Sequence, residues 1–292
     1  MAKKPIHVTS EIGDLQRVVL HRPGRELANM KAAEFEKCWI HDAFYLEYAQ
    51  KEHDAFANIL REAGSEVLYM EELLAEAMDA NPVARAAFLD EYMAQAPIPD
   101  PALVPLVREK LDAIEGNREL VAKALAGMRL HELDLASGPR TLSRLEGDGL
   151  APDDFVVYSM PSSYFSRDPI ASIGTGVALH RMYYNQRNRE VPFYKTFLTY
   201  HPDFAGTPFW YDNHSAAHIE GGDVLNINET TLAVGISERT EAAAIDTLAH
   251  NLFWGEEPSA IDTVYAIRIP FGYETMHLDT VCTQIDYDKF TV

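Results

Sequence analysis

The chain has 292 residues, 47% of them hydrophobic, and a formal net charge of −20. That is enough apolar material for one large domain or two smaller ones, and so acidic a surface repels nucleic acid and anionic membranes, which are therefore not expected as partners. No apolar run is long enough to span a bilayer, the opening MAKKPIHVTS lacks the apolar stretch of a secretory leader, and two cysteines, Cys38 and Cys282, make no disulfide framework, so a cytoplasmic location is expected.

In chain order, LQRVVLHRP (15–23) is a β-branched run closed by Pro-Gly and reads as a strand and a turn. DAFYLEYAQKEHDAFANILREAG (42–64) reads as a helix. Asp42 suits an N-cap, Gly64 a stop, and Leu46, Tyr48, Phe56, Ile59 and Leu60 fit helical spacing. EVLYM (66–70) is a short strand, so residues 1–71 make a strand–helix–strand unit. From 72 to 151 the chain is rich in Ala, Leu, Glu and Lys. PVARAAFLDEYMAQ, PALVPLVREKLDAIEG and RELVAKALAGMRLHEL each read as helices, which predicts an all-α insertion within an α/β protein.

Strand character returns over 152–292. YFSRDPIASIGTGVALHRM, HIEGGDVLNINETTLAVGIS and MHLDTVCTQIDYDKFTV share a plan: an acidic residue, a strand, a turn, a second strand. Asp168 lies eight positions before Gly176, Glu220 eight before Asn228, and Asp279 seven before Asp286. Helical stretches such as TEAAAIDTLAHNLFW separate the units. Repeated strand-plus-helix units suggest pseudo-symmetric modules, each delivering a carboxylate to one shared place.

His277 and Asp279 are two apart, and in a strand both would face one substrate. His218 and Glu220 repeat that spacing in the preceding unit, ahead of Gly221 and Gly222, which permit unusual backbone turns. Singly, each of these residues has an ordinary structural explanation; three carboxylates in matching places make coincidence less comfortable. Such a set could ligate a metal. It could instead hold a guanidinium between carboxylates with His277 as acid and base, in which case attack on the guanidinium carbon calls for a nucleophile such as a thiolate.

TSEIGDLQRVVLHRPGREL, MPSSYFSRDPIASIGTGVALHRMYYNQRNRE, HIEGGDVLNINETTLAVGISERT and MHLDTV together resemble the arginine deiminases, in order and spacing along the whole chain. The resemblance implies an α/β propeller of ββαβ modules, about three of five being present, with a helical insertion after the first. It implies hydrolysis of L-arginine to L-citrulline and ammonia through a cysteine thiouronium intermediate, with no metal and no organic cofactor. Asp168 and Asp279 would hold the guanidinium, Glu220 would orient His277, and His277 would protonate ammonia and then activate water. Arg187 and Arg239 would grip the α-carboxylate, with Phe165 packing beside the substrate. Ser162 stands where the family usually has Asn, at the carboxylate end of the site.

The family's nucleophile lies in a glycine-rich loop further along a longer chain, so this chain by itself is expected to be inactive. Strand alternation places Cys282 on the face opposite His277 and Asp279, and Cys38 has no acid–base partner near it in sequence. A homo-oligomer is expected, because strand partners are missing at the propeller edge. An amidinotransferase or methylarginine hydrolase, a non-catalytic arginine-binding protein and a His/carboxylate metallohydrolase are the other readings.

Overall fold

A computed structural model describes residues 6–31, 34–35, 45–135, 142 and 149–292. Cys38 and the expected N-cap Asp42 lie outside the described residues. The chain divides into two compact units, one formed by 16–165 and the other by 1–15 together with 166–292. The division does not follow the sequence boundaries at 71 and 151. The first strand, the first long helix and the helical stretch belong to one unit, and the N-terminal residues join the strand-rich half.

The 16–165 unit opens with β1 (Arg17–Leu20), α1 (Arg25–Ala28), α2 (Leu46–Glu62) and β2 (Glu66–Tyr69). β1 and β2 pair in parallel, with Val18 opposite Val67, as a strand–helix–strand crossover requires. Helix α2 forms where its spacing predicts, but its large apolar residues do not face inward. Tyr48, Phe56 and Ile59 are exposed, and Ala57 is its buried residue.

Four helices follow: α3 (Met70–Ala80), α4 (Pro82–Gln95), α5 (Val104–Asp112) and α6 (Asn117–Ala126). Met70, Leu73, Leu74, Ala77 and Met78 recur at the three- and four-residue spacing of one helix face and are all buried. Phe88 and Tyr92 on α4 stack at 5.7 Å, and the Tyr92 hydroxyl donates to the Ala124 carbonyl at 2.9 Å. Asn81 caps α4 by accepting from Val83 N at 3.0 Å, with Pro82 in the first turn. A short antiparallel pair, β3 (Met128–Arg129) with β4 (Phe155–Val157), closes the unit. β3 is a strand inside the stretch that the sequence reads as wholly helical.

His21, just past β1, is buried between two carboxylates, with Nδ1 3.0 Å from Glu71 and Nε2 3.1 Å from Glu26. Burial lowers its pKa, but the two carboxylates outweigh that and raise it to about 9. It therefore carries a charge at neutral pH and ties β1 to α1 and α3.

The second unit contains two consecutive ββαβ runs. β5 (Ile170–Ile173) and β6 (Gly176–Leu179) form a hairpin, α7 (Val191–Tyr200) crosses over, and β7 (Phe209–Tyr211) returns parallel to β6. β8 (Val224–Asn228) and β9 (Thr231–Ile236) repeat the hairpin. α8 (Ala242–Trp254) then crosses over, and β10 (Thr263–Arg268) pairs in parallel with β9. A third hairpin, β11 (Thr283–Asp286) with β12 (Lys289–Thr291), follows. The two-residue turn between β5 and β6 places Gly174 at φ 55°, a left-handed conformation that suits this tight reversal. Ile173, Trp210, Ile219, Val224, Val234 and Leu248 share one core between strands and helix, and the Trp210 indole N–H donates to the Ile173 carbonyl at 2.9 Å. Among the described residues no helix is long and apolar enough to cross a membrane.

Two outcomes test this account. Phe88→Ala, at a fully buried position, is expected to cost about 3–5 kcal/mol in chemical denaturation. Because the folded-state pKa of His21 is raised from 6.5 to about 9, its stabilisation is whole below 6.5 and is lost as pH rises through about 9, on the order of 3 kcal/mol in all. Melting curves from pH 6 to 10 should show this fall, and His21→Gln should remove it.

Candidate active site

Each of the three hairpins in the second unit is preceded by a tight turn, and the turns carry the polar residues. The turn before β5 holds Arg167 and Asp168. Its backbone is pinned, because the Asp168 carbonyl accepts from His180 Nδ1 at 2.7 Å and from Gly221 N at 3.1 Å. His180 is fully buried, and burial pushes its pKa down to about 4, so it is neutral and serves this turn as a hydrogen-bond donor.

The Asp168 side chain accepts from Arg187 Nη1 at 2.9 Å. Arg187 lies in a 3-10 segment over Asn185–Glu190 and turns its Nε–Nη2 edge to Glu190, at 2.9 and 2.8 Å. Burial opposes the Arg187 charge, but Glu190 and Asp168 outweigh it and raise the guanidinium pKa. Glu190 itself is raised by burial against the Arg187 charge.

The turn before β8 begins at Glu220, which is fully buried and precedes a 3-10 turn over Gly221–Asp223. One carboxylate oxygen accepts from Tyr183 N at 3.0 Å, and the other meets His277 Nε2 at 2.9 Å. Burial raises the Glu220 carboxyl, but the His277 hydrogen bond and the Arg187 charge hold it below its ordinary value. Burial lowers His277, but Glu220 and then the Asp168 charge raise it overall. The pair is therefore a buried ion pair in which each partner keeps the other charged.

The turn before β11 corrects the strand reading of residues 276–282. His277 precedes a 3-10 turn over Leu278–Thr280, and β11 starts only at Thr283. Strand alternation therefore does not decide where Asp279 or Cys282 points. Asp279 is partly exposed; Arg167 Nε is its ion-pair partner at 3.6 Å. Burial raises its carboxyl against the His277 and Arg167 charges. The half-buried Cys282 packs on an apolar cluster of Leu225, Ala233, Ile269 and Leu278.

Two further sequence readings change. His218 does not share a target with Glu220. Its Nδ1 lies 3.1 Å from Glu241, and Glu220 turns to His277 instead. Neither Gly221 nor Gly222 takes a positive φ. A Cβ at Gly222 would lie 2.5 Å from His277 Nδ1, so this glycine is needed for close approach of the imidazole to the backbone.

Arg239 is buried, with its guanidinium 4.3 Å from the Tyr184 ring centre and 5.3 Å from that of Tyr183. Among the described residues its Nε has no hydrogen-bond partner, and the nearest carboxylate contact, from Glu238, is 3.9 Å away. The structure thus brings Asp168, Arg187, Glu220, His277, Asp279 and Arg239 into one unit. Ser162 and Phe165 belong to the other unit, where Phe165 ends the 3-10 turn Pro161–Tyr164 and is half exposed. Asp223, which sequence reasoning did not single out, is fully buried beside the Leu278 turn; its signal was its place three residues after Glu220.

The arginine deiminase family model matches residues 38–292. The arginine deiminase of Streptococcus pyogenes is 45% identical over 294 aligned positions, spanning 100% of this chain and 70% of that protein. The chain belongs to the arginine deiminase family. The same identity and coverage hold for the arginine deiminase of S. pyogenes serotype M1. Among solved structures, an amidinotransferase from Microseira wollei aligns with a TM-score of 0.49 at 14% identity, over 98% of this chain and 68% of that one. DDAH from Pseudomonas aeruginosa complexed with citrulline aligns at 0.48 and 11%, over 94% and 68%. Likenesses at that level carry no argument about this arginine deiminase family member.

The Glu220–His277 pair sets a pH window. The folded-state pKa of His277 lies above its ordinary 6.5, so its contribution is whole below 6.5 and is lost as pH rises through the raised value. That of Glu220 lies below 4.5, so its contribution is present above 4.5 and is lost as pH falls through the depressed value. Glu220→Gln should drop the His277 titration midpoint, followed by NMR, and cost roughly 3 kcal/mol or more in stability.

Proposed function

We propose that this chain binds L-arginine by its guanidinium and supplies the acid–base groups that hydrolyse it to L-citrulline and ammonia. The observation that carries this is the buried Glu220–His277 ion pair set beside the carboxylates of Asp168 and Asp279. Asp168 and Asp279 hold the substrate guanidinium by charge-assisted hydrogen bonds. A cysteine thiolate attacks the guanidinium carbon, and the C–N bond breaks as ammonia leaves with a proton from His277. Water then adds to the thiouronium carbon, giving its proton to His277, and the C–S bond breaks to return the thiolate. Glu220 keeps His277 oriented and charged for the first of these steps.

Arg239 grips the α-carboxylate: its guanidinium rests on tyrosine rings, and among the described residues its nearest carboxylate, that of Glu238, is 3.9 Å away. Arg187, whose donors already serve Glu190 and Asp168, acts chiefly by holding Asp168. Cys282, packed among apolar side chains, is not the thiolate, which comes from outside the described residues. No metal and no organic cofactor takes part.

In this reading the ββαβ runs are modules of a pseudo-symmetric α/β propeller, the mainly helical stretch from Met70 to Ala126 belongs to an insertion, and the protein works in the cytoplasm. It assembles as a homo-oligomer. Support for assembly comes from exposed Tyr265 and Ile267 on β10 and from Tyr287 and Phe290 at the terminal hairpin. Light scattering that returned a monomer at all concentrations would remove the assembly from the proposal.

Calorimetric titration with L-arginine tests the binding step. Asp168→Asn and Asp279→Asn should each weaken binding about 10- to 100-fold, the worth of a charged hydrogen bond. Cys282→Ser should leave binding and any citrulline formation unchanged. Wild-type affinity in the Asp168 variant, or citrulline formation abolished by Cys282→Ser, would refute the assignment.

A further inference from the structure

Asp223 is fully buried at the end of the 3-10 turn that Glu220 begins. Its Oδ1 accepts from Leu278 N at 2.8 Å, in the peptide next to His277. Its Oδ2 accepts from Ser237 Oγ at 2.7 Å. Ser237 Oγ in turn accepts from Arg239 N at 3.0 Å and Thr240 N at 3.1 Å, shaping the turn that carries Arg239. Thr240 is also hydrogen-bonded to Asp223 through its side chain, and Thr240 Oγ1 accepts from Glu220 N at 3.2 Å. One carboxylate therefore binds the segments that present Glu220, Arg239 and His277.

These partners are all neutral donors. A buried carboxylate without a cation in contact is expensive to maintain, and burial does push the Asp223 pKa up, against the Thr240 and Ser237 hydrogen bonds. An amide could not serve all of them, because its single oxygen accepts while its nitrogen must donate toward hydroxyls that are themselves donors. The neighbouring strand is cut to fit: a Cβ at Gly235 on β9 would fall on Asp223 Oδ1 and within 3.0 Å of the Leu278 Cβ.

We infer that Asp223 is a positioning residue for the deiminase reaction, fixing the His277 turn and the Arg239 turn in register with Glu220. The inference rests on the function proposed above. Asp223 touches no substrate in this scheme and acts only through the residues it holds.

The test uses the full chain with Asp223→Asn, Asp223→Ala and Gly235→Ala. Gly235→Ala keeps the carboxylate and displaces it, so it carries the test if the Asp223 variants fail to fold. Three quantities are measured: the thermal melt, the His277 titration midpoint by NMR, and L-arginine affinity by calorimetry. The expected result is a cooperative melt, a His277 midpoint that falls back toward the ordinary histidine value as contact with Glu220 loosens, and arginine affinity down about tenfold or more. Lowered melting temperatures with the His277 midpoint unmoved and affinity within twofold of wild type would overturn the inference, since a purely structural role gives that pattern. A wild-type chain that binds no arginine would sink the deiminase reading, and the His277 midpoint would then decide the positioning claim by itself.

Discussion

A charge taken out of water must be met by another, and the Glu220–His277 pair does this at the centre of the candidate site. Glu220 is fully enclosed, and its two oxygens are spoken for by the Tyr183 amide and the His277 ring. Much of the surrounding sequence is constrained by that arrangement. Gly222 has to be bare so that the ring can lie against it. Tyr183 has to present its amide, and that places the Tyr183–Tyr184 pair where Arg239 can rest on it. Removing the carboxylate would take away the hydrogen bond that keeps this largely buried imidazole charged, and the ring would lose its proton more readily.

The repeated ββαβ connectivity explains how residues distant in sequence come to one place. In each case a tight turn leads into an antiparallel hairpin. Asp168 stands before β5, Glu220 before β8, and His277 with Asp279 before β11. The turns are also stitched to one another through the backbone, as where Gly221 N donates to the Asp168 carbonyl. A repeat of this kind converts a sequence spacing into a spatial cluster without any long loop.

Much of this could be read beforehand. The spacing of Asp168, Glu220 and Asp279 from the hairpin turns carried information because the hairpins are regular, and the helices between Met70 and Ala126 were legible from composition and apolar spacing. What escaped was local. Over three residues, a polar–apolar–polar pattern such as His277–Leu278–Asp279 fits a 3-10 turn as well as a strand, and backbone hydrogen bonds such as that from Thr280 N to the His277 carbonyl separate them. Gly222 signals a special requirement, yet its sequence cannot say whether backbone torsion or close approach imposes it. The partner of His218 depended on where Glu241 lands, 23 residues on. On α2 the apolar stripe gave the helix and misled about its buried side, because periodicity does not say which face has a neighbour. Asp223 was hidden in plain view, as one acid among 45 Asp and Glu.

The seating of Arg239 has a consequence for molecular discrimination. Arg239 rests on aromatic faces, 4.3 Å from Tyr184, and among the described residues its one acid partner, Glu238, stands at the long distance of 3.9 Å. Ring quadrupoles attract a cation without cancelling its net charge. In the proposed function this leaves most of the Arg239 charge for an anionic group of the substrate, at the end opposite the guanidinium. On that proposal a decarboxylated guanidino compound would satisfy one end and leave the other unmet, and the two tyrosines that shelter Arg239 would help select molecules that carry both charges.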